Sequence, residues 1–423
     1  MPVPFMVYKL EKKITFVKIF INSLLVMGMT IGAGILGLPV KTGLAGMLPS
    51  LLSMFSVWVL MLCTAIVFIY KFTHPKERSR DYPTLFQSEL GPKGKWISVF
   101  GYLVNYYGIL VAYLTGSAAI LVNLVPLNAG SHVWMAAFFV IFTGLVLLGA
   151  DKAKNANAII MAVLLVSFSI LLFKTGQHVD ASRFSYRKWG LIPSVIPIII
   201  VAFSFHNVVP FICSNLDGNP WAALKAVLLG SFMALVMNIL WMTVVIGALP
   251  VSGPGKTNIL SALQNDYPAT IPLALALHSR VITVTGMFFA LTAMATSYIP
   301  TGIALRGFMK GILSLYFKKP SKYAIVLLSF GPPFLVAMIY PGLFLKAIDL
   351  AGGLGILIVF GLLPSFIMLK MARERGKLFK VAAIVMIAAF STFLLCEVAQ
   401  ESGMLKLDAS KEHWKHKTFS VEK

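Results

Sequence analysis

Acidic side chains are scarce in this chain: 15 Asp and Glu stand against 36 Lys and Arg, and only 12% of 423 residues are charged. A soluble globule needs more charge than that to cover its surface. With 58% hydrophobic residues and a mean hydropathy of +0.86, the chain reads as a polytopic membrane protein. Cysteine is scarcer still. Cys63, Cys213 and Cys396 lie in separate apolar runs with neither paired nor ligand-like spacing, so no disulfide framework and no metal site is expected. His206 is the one histidine inside an apolar run, and no Asp, Glu or Cys stands beside it. Hydrolytic and metal chemistry therefore lack their parts, and the chain is not read as an enzyme. No filter-like repeat supports a channel.

What is present is apolar sequence in lengths suited to a bilayer, for which about 20 residues suffice. Eleven spans are predicted, near 16–38, 44–70, 96–125, 133–150, 156–173, 191–213, 223–249, 281–305, 324–340, 343–369 and 379–397. The first is too long for a signal peptide and lacks a small-x-small cleavage site, so it is expected to remain. A net charge of +21 on a single face would suggest nucleic acid. Here the charges fall mostly in short loops, which fits the positive-inside rule and contact with anionic lipid instead. The bias puts the N-terminus in the cytoplasm. Lys174 to Lys188 and the lysine-bearing tail at 398–423 run against it. Nothing in the sequence fixes an oligomeric state.

Gly28-Met-Thr-Ile-Gly-Ala-Gly-Ile-Leu-Gly-Leu-Pro39 puts four glycines and a proline into the first span. Two readings are open. Glycines four apart let a neighbouring helix approach closely; alternatively the helix breaks, and backbone freed at membrane depth lines a cavity or a ligand. A second interruption weighs toward the break. Phe203-Ser-Phe-His-Asn-Val-Val-Pro210 puts His206, Asn207 and Pro210 in the middle of span six. Spans one and six correspond if spans one to five (16–173) and six to ten (191–369) are inverted repeats, with 379–397 an additional helix. Paired interruptions of that kind point to a transporter site.

Several stretches together carry a resemblance. Thr30 to Pro39, Ala112-Tyr-Leu-Thr-Gly116, Phe203 to Pro210 running on to Leu216-Asp-Gly-Asn219, Ala295-Thr-Ser297, and Pro332-Pro-Phe334 with Tyr340-Pro341 resemble the bacterial aromatic amino acid permeases. These are the tyrosine- and tryptophan-specific permease family, within the amino acid, polyamine and organocation superfamily. The resemblance implies an all-α, LeuT-type fold with a 5+5 inverted repeat and one extra helix. It also implies a place in the bacterial inner membrane and proton symport of a small aromatic amino acid, with no cofactor. Sodium coupling and a broader neutral amino acid substrate are the alternatives. Arg306-Gly307 and Lys310-Gly311 depart from the family, where relatives include acidic residues at these places.

An amino acid at mid-membrane needs both its charges matched. Backbone N–H groups around Gly32, Ala33 and Gly34 are expected to hold the carboxylate, with the helix dipole assisting. Carbonyls near Thr30 and from Phe203 to Phe205 are expected to take the ammonium. Gly37 and Gly43 read as ordinary packing. Span three offers Asn105, Tyr106, Tyr107 and Tyr113, and Tyr113, in the family-like stretch, can donate its hydroxyl to substrate. Phe203, Phe205, Phe288 and Phe289 are candidates for an aromatic pocket. His206 either carries the coupling proton or holds the broken helix in shape as a neutral, hydrogen-bonded group. Thr296 and Ser297 match the place where sodium-coupled relatives offer two hydroxyls. Lys41 and Asp349 are placed to face each other as an outer gate, with solvated interfacial residues as the plainer account, and Lys18 is expected to snorkel.

Overall fold

Apolar side chains cannot satisfy backbone polar groups in lipid, so each span must close its own hydrogen bonds as a helix. The computed structural model describes residues 14–74 and 81–405, and all its regular elements are helical. The tail from 406 onward, and the basic residues before 14 and between 75 and 80, lie outside the described residues.

Among the described residues nine helices are long and apolar enough to cross a membrane: Met47–Thr73, Tyr82–Leu124, Ala156–Gly176, Trp189–Asn215, Pro220–Ala248, Arg280–Leu313, Lys322–Ile339, Phe344–Arg375 and Lys377–Glu401. A bent pair, Phe16–Thr30 with Ala33–Ala45, makes a tenth, and the shorter apolar helix Ser131–Leu147 stands where the fourth span is expected. Numbered in chain order, these are spans one to eleven.

Local chemistry sets the ends. Asn219 accepts from the Ala222 amide with Pro220 following, and Asp81 accepts from the Thr84 amide with Pro83 in the first turn. Both pairings satisfy amides that have no intrahelical partner. Span three begins well before the predicted Trp96. Gly91, at φ +76°, and Pro92 kink it rather than end it.

Span one breaks for a visible reason. Its first half stops at Thr30, whose hydroxyl turns back to the Met27 carbonyl. Ile31 and Gly32 leave the helical path, and the second half leaves at 55° to the first. Span six breaks between Ile192–Ala202 and Val209–Asn215, with a single 3-10 turn at His206–Val208 between them. The two breaks touch: a Cβ on Gly34 would stand 3.1 Å from the Ala202 amide nitrogen.

The packing follows a swap between halves. Span two packs against both parts of span six, while span seven packs against both parts of span one. Span three pairs with span ten as span eight pairs with span five. Span ten contains a wide π-helical stretch, Ala351–Leu362, where Gly352, Gly353 and Gly355 meet Pro197 of span six, Glu397 of span eleven and Asn105 of span three. Side chains at those positions would collide with these neighbours. Gly37 and Gly43 are packing positions as expected, covered by Ile198 and Leu345, and by Ile259. Gly28, from the glycine-rich stretch, faces Met161 of span five.

Candidate functional site

A cleft lies where the breaks meet. Span one contributes Met29, Thr30, Gly32, Ala33 and Gly34; span three contributes Asn105, Tyr106, Ile109 and Tyr113. Span six adds Val201, Ser204 and Asn207, and span eight adds Thr301. Its volume is about 20 Å³, room for a water or so. None of these side chains is charged, so any charged ligand here must be met by dipoles.

The dipoles are in place. Ala33, Gly34 and Ile35 form the first turn of the second half-helix of span one, and their amides have no intrahelical acceptor. The Ser297 hydroxyl donates to the Ile31 carbonyl over 3.1 Å. A Cβ on Gly32 would stand 2.7 Å from Ser297 Oγ and 3.1 Å from the Tyr113 hydroxyl. The missing side chain of Gly32 therefore leaves room for two hydroxyls beside the break. Gly34 is spent differently, on Val201 and Ala202 of span six.

The expected residues divide. Thr30, Gly32, Ala33, Gly34, Tyr113 and Asn207 are brought together at the cleft. Phe203, Phe205 and His206 are not: all three are fully buried and none lines it. The physical reason is that the break interrupts the helical period, so Ser204 and Asn207 face the cleft while the neighbouring rings pack into the interior. Phe289 is buried against Phe168 and Trp241, and Phe288 is exposed on the outer surface of span eight.

His206 has an enclosed setting. Its Nε2 lies 3.0 Å from the Met61 carbonyl and 2.9 Å from the Thr64 hydroxyl, and its ring stacks between Phe205 and Phe360. Nδ1 is buried without a partner, an arrangement that suits the neutral tautomer protonated on Nε2. The Tyr82 hydroxyl donates to the His206 carbonyl. Span six is thus tied at its break to spans two and three.

Of the hydroxyl pair in span eight, only Ser297 reaches across to span one; Thr296 donates to Ala293 in its own helix over 3.1 Å. Among the described residues no group of three or more His, Cys, Asp or Glu side chains could hold a metal ion.

Toward the far end of span one, Lys41 Nζ donates to Asp349 Oδ2 over 2.6 Å, joining spans one and ten. Both side chains are largely buried, at 14% and 12% exposure. A wider cavity lies against this pair and is also lined by Asp266 and Glu397. Burial pushes the carboxyl of Asp266, in the loop before Thr270–Leu277, up to about 6 despite a bond from the Leu345 amide. At the opposite end Lys18 pairs with Asp217 over 3.0 Å, an exposed contact of little energetic weight.

Sequence reasoning missed Met29, Ile109, Val201 and Thr301 as lining residues, and reached Ser204 only through the carbonyls of Phe203 to Phe205. Thr301 had a usable signal, standing one turn beyond Ser297 on the same helix face. Asn105 and Tyr106 were visible as polar positions in span three, eight and seven residues before Tyr113.

An all-helical bundle with two broken helices meeting at an uncharged, dipole-lined cleft defines a multi-pass membrane protein of the LeuT transporter fold. The solved structure of MhsT in complex with L-phenylalanine matches it with a TM-score of 0.61 at 15% identity, covering 92% of this chain and all of that one. The tryptophan/tyrosine permease family matches residues 15–400, and the chain belongs to that family. Tyrosine-specific transport system 1 of Haemophilus influenzae is 27% identical over 340 residues, 78% of this chain and 83% of that protein. The tryptophan-specific transport protein of the same organism is 24% identical over 358 residues, 78% and 82% of the two chains.

Proposed function

We propose that the protein is a secondary transporter that imports an aromatic amino acid, tyrosine or tryptophan, by proton symport through alternating access. The observation that carries the reading is the meeting of the two helix breaks at a cleft with dipoles but no charges. The substrate carboxylate sits on the amides of Ala33 and Gly34 at the positive end of the half-helix, beside the hydroxyls of Tyr113 and Ser297. The ammonium is taken by backbone carbonyls of the two breaks, near Thr30 in span one and near Ser204 in span six. Membership of a family whose relatives carry tyrosine- and tryptophan-specific names supports the choice of substrate.

The volume of the cleft supports alternating access. A cleft of about 20 Å³ is far too small for an aromatic amino acid, so the half-helices must part to admit one. The Lys41–Asp349 pair then acts as the outer gate, closing over the cleft from a side facing away from the cytoplasm, with the N-terminus inside. The two-fold swap in packing between spans one to five and six to ten supports inverted repeats as the moving units.

For coupling, the enclosed imidazole of His206 favours the role of holding span six in shape over that of carrying the proton. Sodium is the second reading, favoured by the Ser297 hydroxyl against the Ile31 carbonyl. Uptake of labelled tyrosine into proteoliposomes, at a fixed pH gradient with sodium replaced by choline, tests the proposal. Undiminished accumulation that collapses with a protonophore supports proton symport; accumulation that needs sodium overturns it.

A further inference from the structure

The end of the cleft away from the carboxylate dipoles is polar, and the described residues use little of that polarity. Asn105 is 4% exposed and lines the cleft, yet its amide makes no hydrogen bond to another described residue. Beside it, the Tyr106 hydroxyl reaches Asn207 Oδ1 over a long 3.4 Å, the one bond of that second amide among the described residues. An amide that faces a narrow cleft with no partner from the protein is unfavourable unless something in the cleft pairs with it, so its presence in an uncharged cleft points to a ligand that completes it.

Its place along span three fits such a ligand. Asn105 stands eight residues before Tyr113, roughly 12 Å along the helix axis, with Ile109 one turn above it. Tyr113 marks the end where carboxylate dipoles gather. A bound amino acid held there by its main chain therefore points its side chain past Ile109 toward Asn105 and Asn207. Asn105 is also fixed from behind, because Gly355 of span ten lies directly against its backbone and Cβ. The side chain has little room to turn elsewhere.

We infer that Asn105, with Asn207, is the specificity reader for the far end of the substrate side chain, selecting aromatic rings that carry a hydrogen-bond donor. The phenol O–H of tyrosine and the indole N–H of tryptophan both give the Asn105 carboxamide oxygen a proton to accept. The phenylalanine ring gives it none and leaves the amide buried and unpaired. Sites built to pair a substrate donor reject the analogue lacking it far more strongly than apolar pockets reject an extra methylene.

This inference rests on the proposed aromatic amino acid transport, and the test separates the two. Binding of labelled tyrosine to the purified full-length protein is competed with tyrosine, tryptophan and phenylalanine, for the wild type, Asn105→Leu and Asn105→Thr. In the wild type, phenylalanine is expected to compete about 10- to 100-fold more weakly than tyrosine, the scale set by one unpaired buried polar group. Asn105→Leu is expected to erase that ratio, chiefly by weakening tyrosine and tryptophan, and Asn105→Thr, which keeps an acceptor, to restore part of it. Equal competition by phenylalanine in the wild type overturns the inference without any variant and leaves the transport reading standing. An unchanged ratio in Asn105→Leu overturns it likewise. Absence of both tyrosine and tryptophan binding in the wild type overturns the transport reading and this inference with it.

Discussion

The Ser297 hydroxyl donates to the Ile31 carbonyl over 3.1 Å, so span eight satisfies the backbone at the point where span one stops being helical. Gly32, the next residue, has no space for a side chain because that hydroxyl and the Tyr113 hydroxyl occupy it. The broken helix is stable because span eight supplies what the missing turn would have supplied.

Replacing Gly32 by Val puts atoms where the Ser297 and Tyr113 hydroxyls stand. Overpacking of this kind costs about 1–3 kcal/mol, and here it falls on the carboxylate dipoles. Tyrosine binding is expected to weaken roughly 5- to 150-fold, by the same conversion, while the detergent-solubilised protein stays monodisperse. Binding measured by competition against labelled tyrosine checks this.

The Lys41–Asp349 pair is nearly out of solvent, and Asp349 Oδ1 has no partner of its own. Lys41→Met strands a buried carboxylate, a loss of about 3–5 kcal/mol for pairs of this type. The double variant Lys41→Met, Asp349→Leu is expected to recover much of the thermal stability. Accumulation should remain poor in both if the pair closes the cleft. Thermal melts in parallel with uptake separate the two effects.

His206→Leu removes the bond to the Met61 carbonyl at the centre of the span-six break. Exchange and proton-driven accumulation are expected to fall together, with a lowered melting temperature. Intact exchange alongside lost accumulation would instead make His206 the coupling group.

Asp266 keeps its proton up to about pH 6 in the folded protein, against 3.8 for the unperturbed group, chiefly through burial. The folded state therefore binds more protons between those values. The stability this group contributes is fully present below about pH 4 and is lost as pH rises to about 6. Asp266 sits at φ +58°, a conformation that Asn also tolerates. Asp266→Asn is expected to raise the melting temperature at pH 7 and to flatten its decline between pH 4 and 6.

Much of this architecture is legible in the chain because membrane burial makes exceptions conspicuous. Glycine, proline and histidine inside apolar runs mark both breaks, and Lys41 and Asp349 stand out as charges near the ends of spans. Phe203 and Phe205 illustrate the opposite case. Their composition suited an aromatic pocket, but within a break the helical period no longer says which side chain faces inward, and Ser204 and Asn207 take the cleft. The short fourth span and the long start of span three depend on Gly149 and Gly91, glycines with positive φ whose effect on chain direction is set by tertiary packing. Asn105 gave only weak notice of itself, since one asparagine in a long helix is unremarkable until the cleft is seen beside it.

Counterflow in proteoliposomes tests the central claim, that the two breaks form an aromatic amino acid carrier. Vesicles loaded with unlabelled tyrosine or tryptophan are expected to take up labelled tyrosine transiently above equilibrium, with Gly32→Val abolishing the overshoot. An absence of trans-stimulation by either amino acid, in vesicles whose protein is folded and correctly inserted, would contradict it.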